Sequence, residues 1–120
     1  MQKIVPHLWY DTQAVEAAKW YVSIFDQADI ASVSQLHGTP SGDVDTVEFS
    51  LGGVEMSAIS AGPYFELNSA ISMMVTCRSA AEVDALYAKL GEGASILMPL
   101  DAYPFSKRYV WLKDRFGLDW

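Results

Sequence analysis

Two side chains able to transfer protons or bind a metal, His7 and Glu48, lie in segments with a strand pattern. In residues 44–51 the apolar positions 47, 49 and 51 share one face, so Glu48 points to the other. His7 likewise points away from its neighbour Leu8. Imidazole and carboxylate groups serve as acid–base catalysts and as metal ligands. A hydrogen-bonded core histidine is the competing interpretation.

Other familiar chemistries have little support in the sequence. Cys77 ends a buried-looking strand and has no recognisable histidine partner for a thiol nucleophile. The sequence contains neither a Gly-x-Ser-x-Gly elbow nor a phosphate-binding Gly-x-x-x-x-Gly-Lys loop. It also has no strand followed by a Gly-x-Gly turn that would hold a nucleotide-like methyl donor.

Length and charge limit the class of protein. The 120 residues fit one domain, and the net charge of −7 disfavours binding to nucleic acid or to an anionic membrane. With a single cysteine and neither a signal peptide nor a membrane span, we expect a cytoplasmic protein. Half of the eight basic residues lie in the last segment, which is either a solvated face or an anion-binding rim; they are Lys107, Arg108, Lys113 and Arg115.

The order of predicted elements repeats once. Each half of the chain reads as strand, helix and three strands, so the sequence predicts two βαβββ modules, at about residues 1–62 and 68–120. Asp11 or Thr12 is expected to cap the first helix, and Ser79 the second, through a capping box. The predicted strands are 4–10, 28–36, 44–51, 54–60, 71–77, 96–100, 109–113 and the residues from Leu118 onward.

Several ordered motifs resemble those of PhnB-like proteins in the vicinal oxygen chelate superfamily, which includes glyoxalase I, extradiol dioxygenases and the bleomycin and fosfomycin resistance proteins. The resemblance extends over nearly the whole chain. It rests on the segments Pro6–Asp11, Trp20–Phe25, Thr46–Phe49, Met98–Leu100, Tyr103–Phe105 and Trp111–Gly117. It implies an α+β fold in which two βαβββ modules form a half-barrel around a concave pocket. It also implies a homodimer.

The resemblance further implies where a divalent metal would bind. His7 corresponds to the ligand on the first strand of the first module, and Ser72 to the equivalent position in the second, where relatives commonly have histidine. Glu48 resembles the carboxylate of the first module, and the fourth ligand position is expected just beyond Trp120. Only His7 and Glu48 would then be metal ligands, and only if a metal binds. Two ligands favour a metal-free polar pocket, so no cofactor is expected.

The predicted function is small-molecule binding, with a pocket formed by His7, Glu48, Ser72, Trp9, Met74 and Trp111. Two alternatives remain open at this point. One is a metal-dependent isomerase, lyase or dioxygenase of the same superfamily. The other is a sequestering protein of the bleomycin-resistance type, which needs an aromatic groove and no metal.

Overall fold

The structure is a computed structural model that describes residues 2–120. The chain divides into two compact units, Met1–Leu67 (unit 1) and Asn68–Trp120 (unit 2). The fold is a small α+β fold with two helices. Its elements are β1 His7–Tyr10, α1 Ala14–Ile24, β2 Asp29–Thr39, β3 Gly42–Leu51, β4 Val54–Ser60, α2 Ala80–Leu90, β5 Ser95–Tyr103 and β6 Ser106–Lys113.

Unit 1 contains a mixed four-stranded sheet in the order β1-β4-β3-β2. Strand β1 is parallel to β4, and the other neighbours are antiparallel. Strands β3 and β4 are joined at Gly52 and Gly53, whose φ angles of 56° and 83° give the two-residue turn that such a hairpin prefers. Helix α1 packs on one face of this sheet, where Tyr21 stacks on Phe49 with ring centroids 6.5 Å apart.

Unit 2 follows the same order with less pairing. Strands β5 and β6 form an antiparallel pair. The predicted strand 71–77 is not a named strand: it pairs only at Ser72, which is parallel to Asp119, and Asp119 is antiparallel to Lys113. The predicted last strand is likewise short. Asp119 bridges Ser72 and Lys113, and backbone hydrogen bonds join Leu112 with Trp120 and Asp114 with Leu118.

The cap of α2 is the predicted one, and that of α1 is not. Ser79 caps α2 as expected, since its Oγ accepts a hydrogen bond from the Glu82 amide at 3.2 Å. Neither Asp11 nor Thr12 caps α1, which begins after Gln13 without a side-chain cap. Instead, the hydroxyl of Ser60 accepts a hydrogen bond from the Ala14 amide at 2.9 Å. This cap comes from a distant strand and leaves no local sequence signal.

Both helices have eleven residues, but they bury different amounts of their inner faces. In α1 the residues at helix positions 1, 4, 5, 8 and 11 are all buried: Ala14, Ala17, Ala18, Tyr21 and Ile24. At the same positions of α2, only Leu90 is buried. None of the helices in the described residues is long and apolar enough to span a membrane.

Candidate functional site

Three polar residues of unit 1 lie in one row across the sheet. Ser57 on β4 is in register with His7 on β1 and with Glu48 on β3. Side chains of residues in register point to the same side of a sheet. This side, which we call the His7 face, lies opposite the buried residues that α1 covers, as the alternation of the sequence predicts for His7 and Glu48.

Glu48 is hydrogen-bonded to the serine between them. The Ser57 hydroxyl donates to Oε1 of Glu48 at 3.0 Å. Two strand spacings separate β1 from β3, about 10 Å, so His7 and Glu48 flank Ser57 rather than pairing directly. Both side chains are exposed, and within residues 2–120 no hydrogen bond is made by the His7 imidazole. His7 is therefore free to bind a ligand on this face.

Trp9 forms an aromatic wall beside this row. It lies two residues after His7 on β1 and is in register with Ile59, so its side chain also lies on the His7 face. The indole N–H donates to the Gly62 carbonyl at 2.9 Å, and the ring of Phe65 packs edge-on against it at 5.0 Å. These contacts fix the orientation of the indole, and Trp9 remains half-buried.

The residues on this face are a poor fit for a tightly bound divalent metal. Nowhere in residues 2–120 do three or more His, Cys, Asp or Glu side chains cluster closely enough to hold one. The His7 face offers one imidazole and one carboxylate, and the carboxylate already accepts a hydrogen bond from Ser57. Stable nitrogen and oxygen sites use three or four protein ligands.

The other three predicted pocket residues belong to unit 2. Ser72, Met74 and Trp111 line a cavity of about 120 Å³ between α2, residues 72–77 and β6. Apolar and aromatic side chains make up most of its wall. Each unit thus brings together three of the six predicted pocket residues, and Ser57 is a member of the polar row that the sequence analysis missed. Its place opposite His7 depends on strand register, which a single strand pattern does not reveal.

A buried carboxylate lies next to Ser72 in unit 2. The residue of the last segment that pairs with Ser72 is Asp119, and the fourth ligand position that the resemblance implies, just beyond Trp120, stays a prediction. Asp119 is fully buried, and its Oδ2 accepts a hydrogen bond from the Trp111 indole at 3.0 Å. Its Oδ1 is buried without a hydrogen-bond partner in the described part of the chain.

The basic residues near the end of the chain have different surroundings. Nε of Arg108 is 2.8 Å from Oδ1 of Asp84 on α2, so this charge is paired within unit 2. The guanidinium of Arg115 lies 5.1 Å from the ring centroid of Phe116. Lys107 remains exposed. The positive potential expected from the cluster is therefore reduced where Arg108 meets Asp84.

The only cysteine of the chain lies in the wall of the unit 2 cavity. Burial raises the pKa of the Cys77 thiol above its ordinary value, and the nearby carboxylate of Glu82 raises it further. Both effects disfavour the thiolate, which is the reactive form of cysteine. This site therefore lacks the activation that a nucleophilic cysteine needs.

The family described as 3-demethylubiquinone-9 3-methyltransferase matches residues 2–120 of this sequence. This chain belongs to that family. One similar solved structure is a putative 3-demethylubiquinone-9 3-methyltransferase, a PhnB protein, from Bacillus cereus. It is 36% identical, with a TM-score of 0.89 over 99% of this chain and 96% of that one. The PhnB-like resemblance found in the sequence is confirmed.

Solved structures with lower sequence identity share the fold. A protein from Pseudomonas aeruginosa is 24% identical, with a TM-score of 0.81 over 100% of this chain and 95% of that one. A glyoxalase-related enzyme from Fulvimarina pelagi is 14% identical, with a TM-score of 0.59 over 99% of this chain and 86% of that one. No curated protein matches this chain. The comparisons establish the family and the fold, which many different activities can share.

Proposed function

We propose that this PhnB-like protein binds a small polar molecule on the His7 face. The observation that carries the proposal is the row formed by His7, Ser57 and Glu48 beside the fixed indole of Trp9. Ligand sites in proteins commonly combine an apolar or aromatic wall with a few polar groups placed in fixed positions. The His7 face has both components in adjacent rows.

The polar groups favour a particular kind of ligand. The Ser57 hydroxyl is engaged with Glu48, so the imidazole of His7 is the available donor. A protonated or neutral imidazole donates to carboxylate, phosphonate or carbonyl oxygens. A planar part of the same molecule would pack against Trp9. Small carboxylates, phosphonates and vicinal dicarbonyl compounds fit this description.

A thermal-shift screen of these three compound classes tests the proposal. A ligand that binds the native state raises the melting temperature, and the rise should disappear in His7→Ala. His37→Ala is the matched control, because His37 is the other histidine and lies in the same unit, paired with Asp43 on the β2–β3 hairpin. A hit that persists in His7→Ala, or the lack of any hit together with unchanged stability in Glu48→Gln, would contradict the proposal.

The description of the family names methyl transfer, and the same screen can address it. Between β1 and α1 the chain has Asp11, Thr12 and Gln13, without the glycines that let a backbone approach a nucleotide-like donor. We therefore propose binding rather than methyl transfer as the activity. A sulfonium methyl donor that raises the melting temperature and transfers its methyl group to a quinol would overturn this choice.

We also propose that two copies of the chain pair as a homodimer in the cytoplasm, completing a half-barrel in the manner of the superfamily. Exposed apolar side chains in unit 2 support pairing. Ile71 is 65% exposed, Met74 88% and Val75 40%, all in a segment that pairs by backbone only at Ser72. An exposed apolar patch with an open strand edge is a typical site of association.

Light scattering tests the dimer. The native chain should have twice the mass of one chain at micromolar concentration, and Met74→Asp should shift it towards the monomer. Ile4→Asp is the control, because Ile4 is an equally exposed apolar residue in unit 1, at 84%. A monomeric native protein would exclude the dimer, and dissociation by Ile4→Asp alone would move the interface away from residues 71–75.

A further inference from the structure

The cavity of unit 2 is a second potential binding site, separate in its residues from the His7 face. We propose that it binds an uncharged, single-ring aromatic molecule. All of its lining residues lie between Ser72 and Trp120, and none belongs to the row of His7, Ser57 and Glu48. The proposal does not depend on the function proposed for that row.

The cavity exists because α2 does not close against its sheet. The helix residues facing it, Val83, Leu86 and Tyr87, are only half-buried, whereas α1 buries Tyr21 completely at the helix position of Tyr87. The fifth residue of α1 is the small, buried Ala18, whereas the fifth residue of α2 is Asp84. The carboxylate of Asp84 reaches Arg108 of β6 at 2.8 Å. This ion pair keeps a charged group where close helix packing needs a small apolar one.

The size and lining of the cavity identify the class of ligand. A volume of about 120 Å³ is too large for a packing defect. A dry apolar cavity of about 150 Å³ is known to accept benzene in another protein, so a single ring is the appropriate size. Met73, Tyr109 and Trp120 are in the wall, and both sulfur and aromatic groups make favourable contacts with an aromatic ring.

The charges around the cavity favour a neutral ligand over an anion. Arg108 is the only basic residue in the wall among the described residues, and its charge is paired with Asp84. The chain as a whole carries a net charge of −7. An anionic group placed here would have to compete with Asp84 for Arg108 and would lose its hydration. An uncharged ring avoids both costs.

The thiol of Cys77 is a built-in reporter of occupancy, because it is the only cysteine and lines the cavity. The test measures the rate at which a thiol reagent modifies Cys77. The rate without ligand is compared with the rate in toluene and with the rate in benzoate, the charged counterpart. With free toluene at about ten times its Kd, about one cavity in ten stays empty, so the reaction should slow by about tenfold. Benzoate at equal concentration should have a much smaller effect.

Filling the cavity should prevent the protection. Leu86→Trp places a larger side chain in the cavity, whereas Ala88→Trp puts the same side chain on the exposed side of α2 and is the matched control. Val83→Phe is a second filling variant in case the first does not fold. Toluene should protect Cys77 in the native chain and in Ala88→Trp, and should fail to protect it in the filled variants.

Three results would overturn the proposal. One is the absence of protection by toluene, and another is equal protection in the filled variants, which would place the ring elsewhere. The third is tighter binding of benzoate than of toluene, which would refute the neutral ligand and assign an anion instead. Met74 and Val75 line the cavity and also belong to the surface proposed for the dimer, so the comparison is made at one fixed protein concentration. The Cys77 test involves neither His7 nor a ligand of the His7 face. Its outcome is therefore independent of the thermal-shift result with His7→Ala.

Discussion

In unit 1 the helix lies against a four-stranded sheet with five buried side chains, whereas the helix of unit 2 buries one and leaves a cavity. The strand order is the same in both units, with an outer strand parallel to the last one. Strand order alone therefore does not determine how completely a core closes. The decisive difference is in the inner faces of the two helices.

Small residues allow α1 to approach its sheet. Ala14, Ala17 and Ala18 are fully buried, so the larger Tyr21 reaches the sheet between Tyr10 and Phe49. Helix α2 carries Val83 and Asp84 at the positions of Ala17 and Ala18. A bulkier and a charged side chain at the contact hold a helix further from the strands below it. The same plan thus yields a packed core in one unit and a ligand-sized space in the other.

Exchanging the residues at helix position 5 gives the largest expected effect. Ala18→Asp would bury a carboxylate without a partner and should destabilise the protein by about 4 kcal/mol or more. Asp84→Ala removes a half-exposed ion pair and should change the free energy of unfolding by less than about 1 kcal/mol. Urea unfolding of both variants measures the difference.

The outcome for Asp84→Ala also tests the origin of the cavity. With the ion pair removed, α2 can move towards β6, so the cavity should shrink and Cys77 should react more slowly even without a ligand. An equal loss of stability in the two variants would contradict the view that α1 is packed and α2 is not. Ala18→Ser, which changes the size little and carries no charge, and Asp84→Asn, which keeps the size and removes the charge, are the matched controls.

The two tyrosines at helix position 8 provide the next test. Tyr21 is fully buried and its hydroxyl lies 3.1 Å from that of Tyr10, whereas Tyr87 borders the cavity. Removing a buried aromatic side chain typically costs about 3–5 kcal/mol, so Tyr21→Ala should destabilise by that amount. Tyr87→Ala should cost less than half as much. The midpoints of urea unfolding decide between these expectations.

Conservative variants separate packing from hydrogen bonding in this pair. Tyr21→Phe keeps the ring and removes only the hydroxyl, so it should cost about 1 kcal/mol. Tyr87→Phe should have almost no effect. If Tyr87→Ala proved as damaging as Tyr21→Ala, the cavity would be closed in solution and the proposed aromatic ligand would have no space to bind.

Sequence patterns predicted the strands, turns and caps whose residues lie close together in the sequence. Strand 54–60 and the turn at Gly52 and Gly53 were predicted with the bounds that the structure has, because alternation and a two-glycine turn are short-range signals. The cap that the Ser79 hydroxyl gives to α2 is equally local. The cap that Ser60 gives to α1 was not predictable, since it joins residues 46 apart in the sequence.

In the candidate site, too, the features with a local cause could be predicted and those that depend on distant residues could not. Alternation placed His7 and Glu48 on one face correctly, since each residue needs only its own strand pattern. The position of Ser57 between them, and of Asp119 beside Ser72, depends on register between strands that are distant in sequence. A shift of one residue would reverse these faces, and no single strand pattern specifies which register is adopted.

The smallest expected effect concerns the turns that precede the two helices. Cys77 lies three residues before the start of α2, and the residue at the same distance before α1 is the exposed Asp11. Burial first, and then Glu82, raise the pKa of the Cys77 thiol. We therefore expect Cys77 to react more slowly with iodoacetamide near neutral pH than an unhindered thiol does. Glu82→Gln should speed the reaction, because the rate follows the thiolate fraction.

The same pKa shift determines the sign of a pH effect on stability. A thiol with a raised pKa in the folded state holds its proton more tightly there than in the unfolded state. Its contribution is therefore fully present below the ordinary pKa of cysteine and is lost as the pH rises through the folded-state pKa. Urea unfolding at mildly alkaline pH should show this small decline in the native chain and not in Cys77→Ser, with neutral pH as the reference for both. An identical alkaline decline in Cys77→Ser would assign the titration to another group. Faster alkylation of the native chain than of an unhindered thiol would show that Cys77 is more open to water than the half-buried wall of the unit 2 cavity allows.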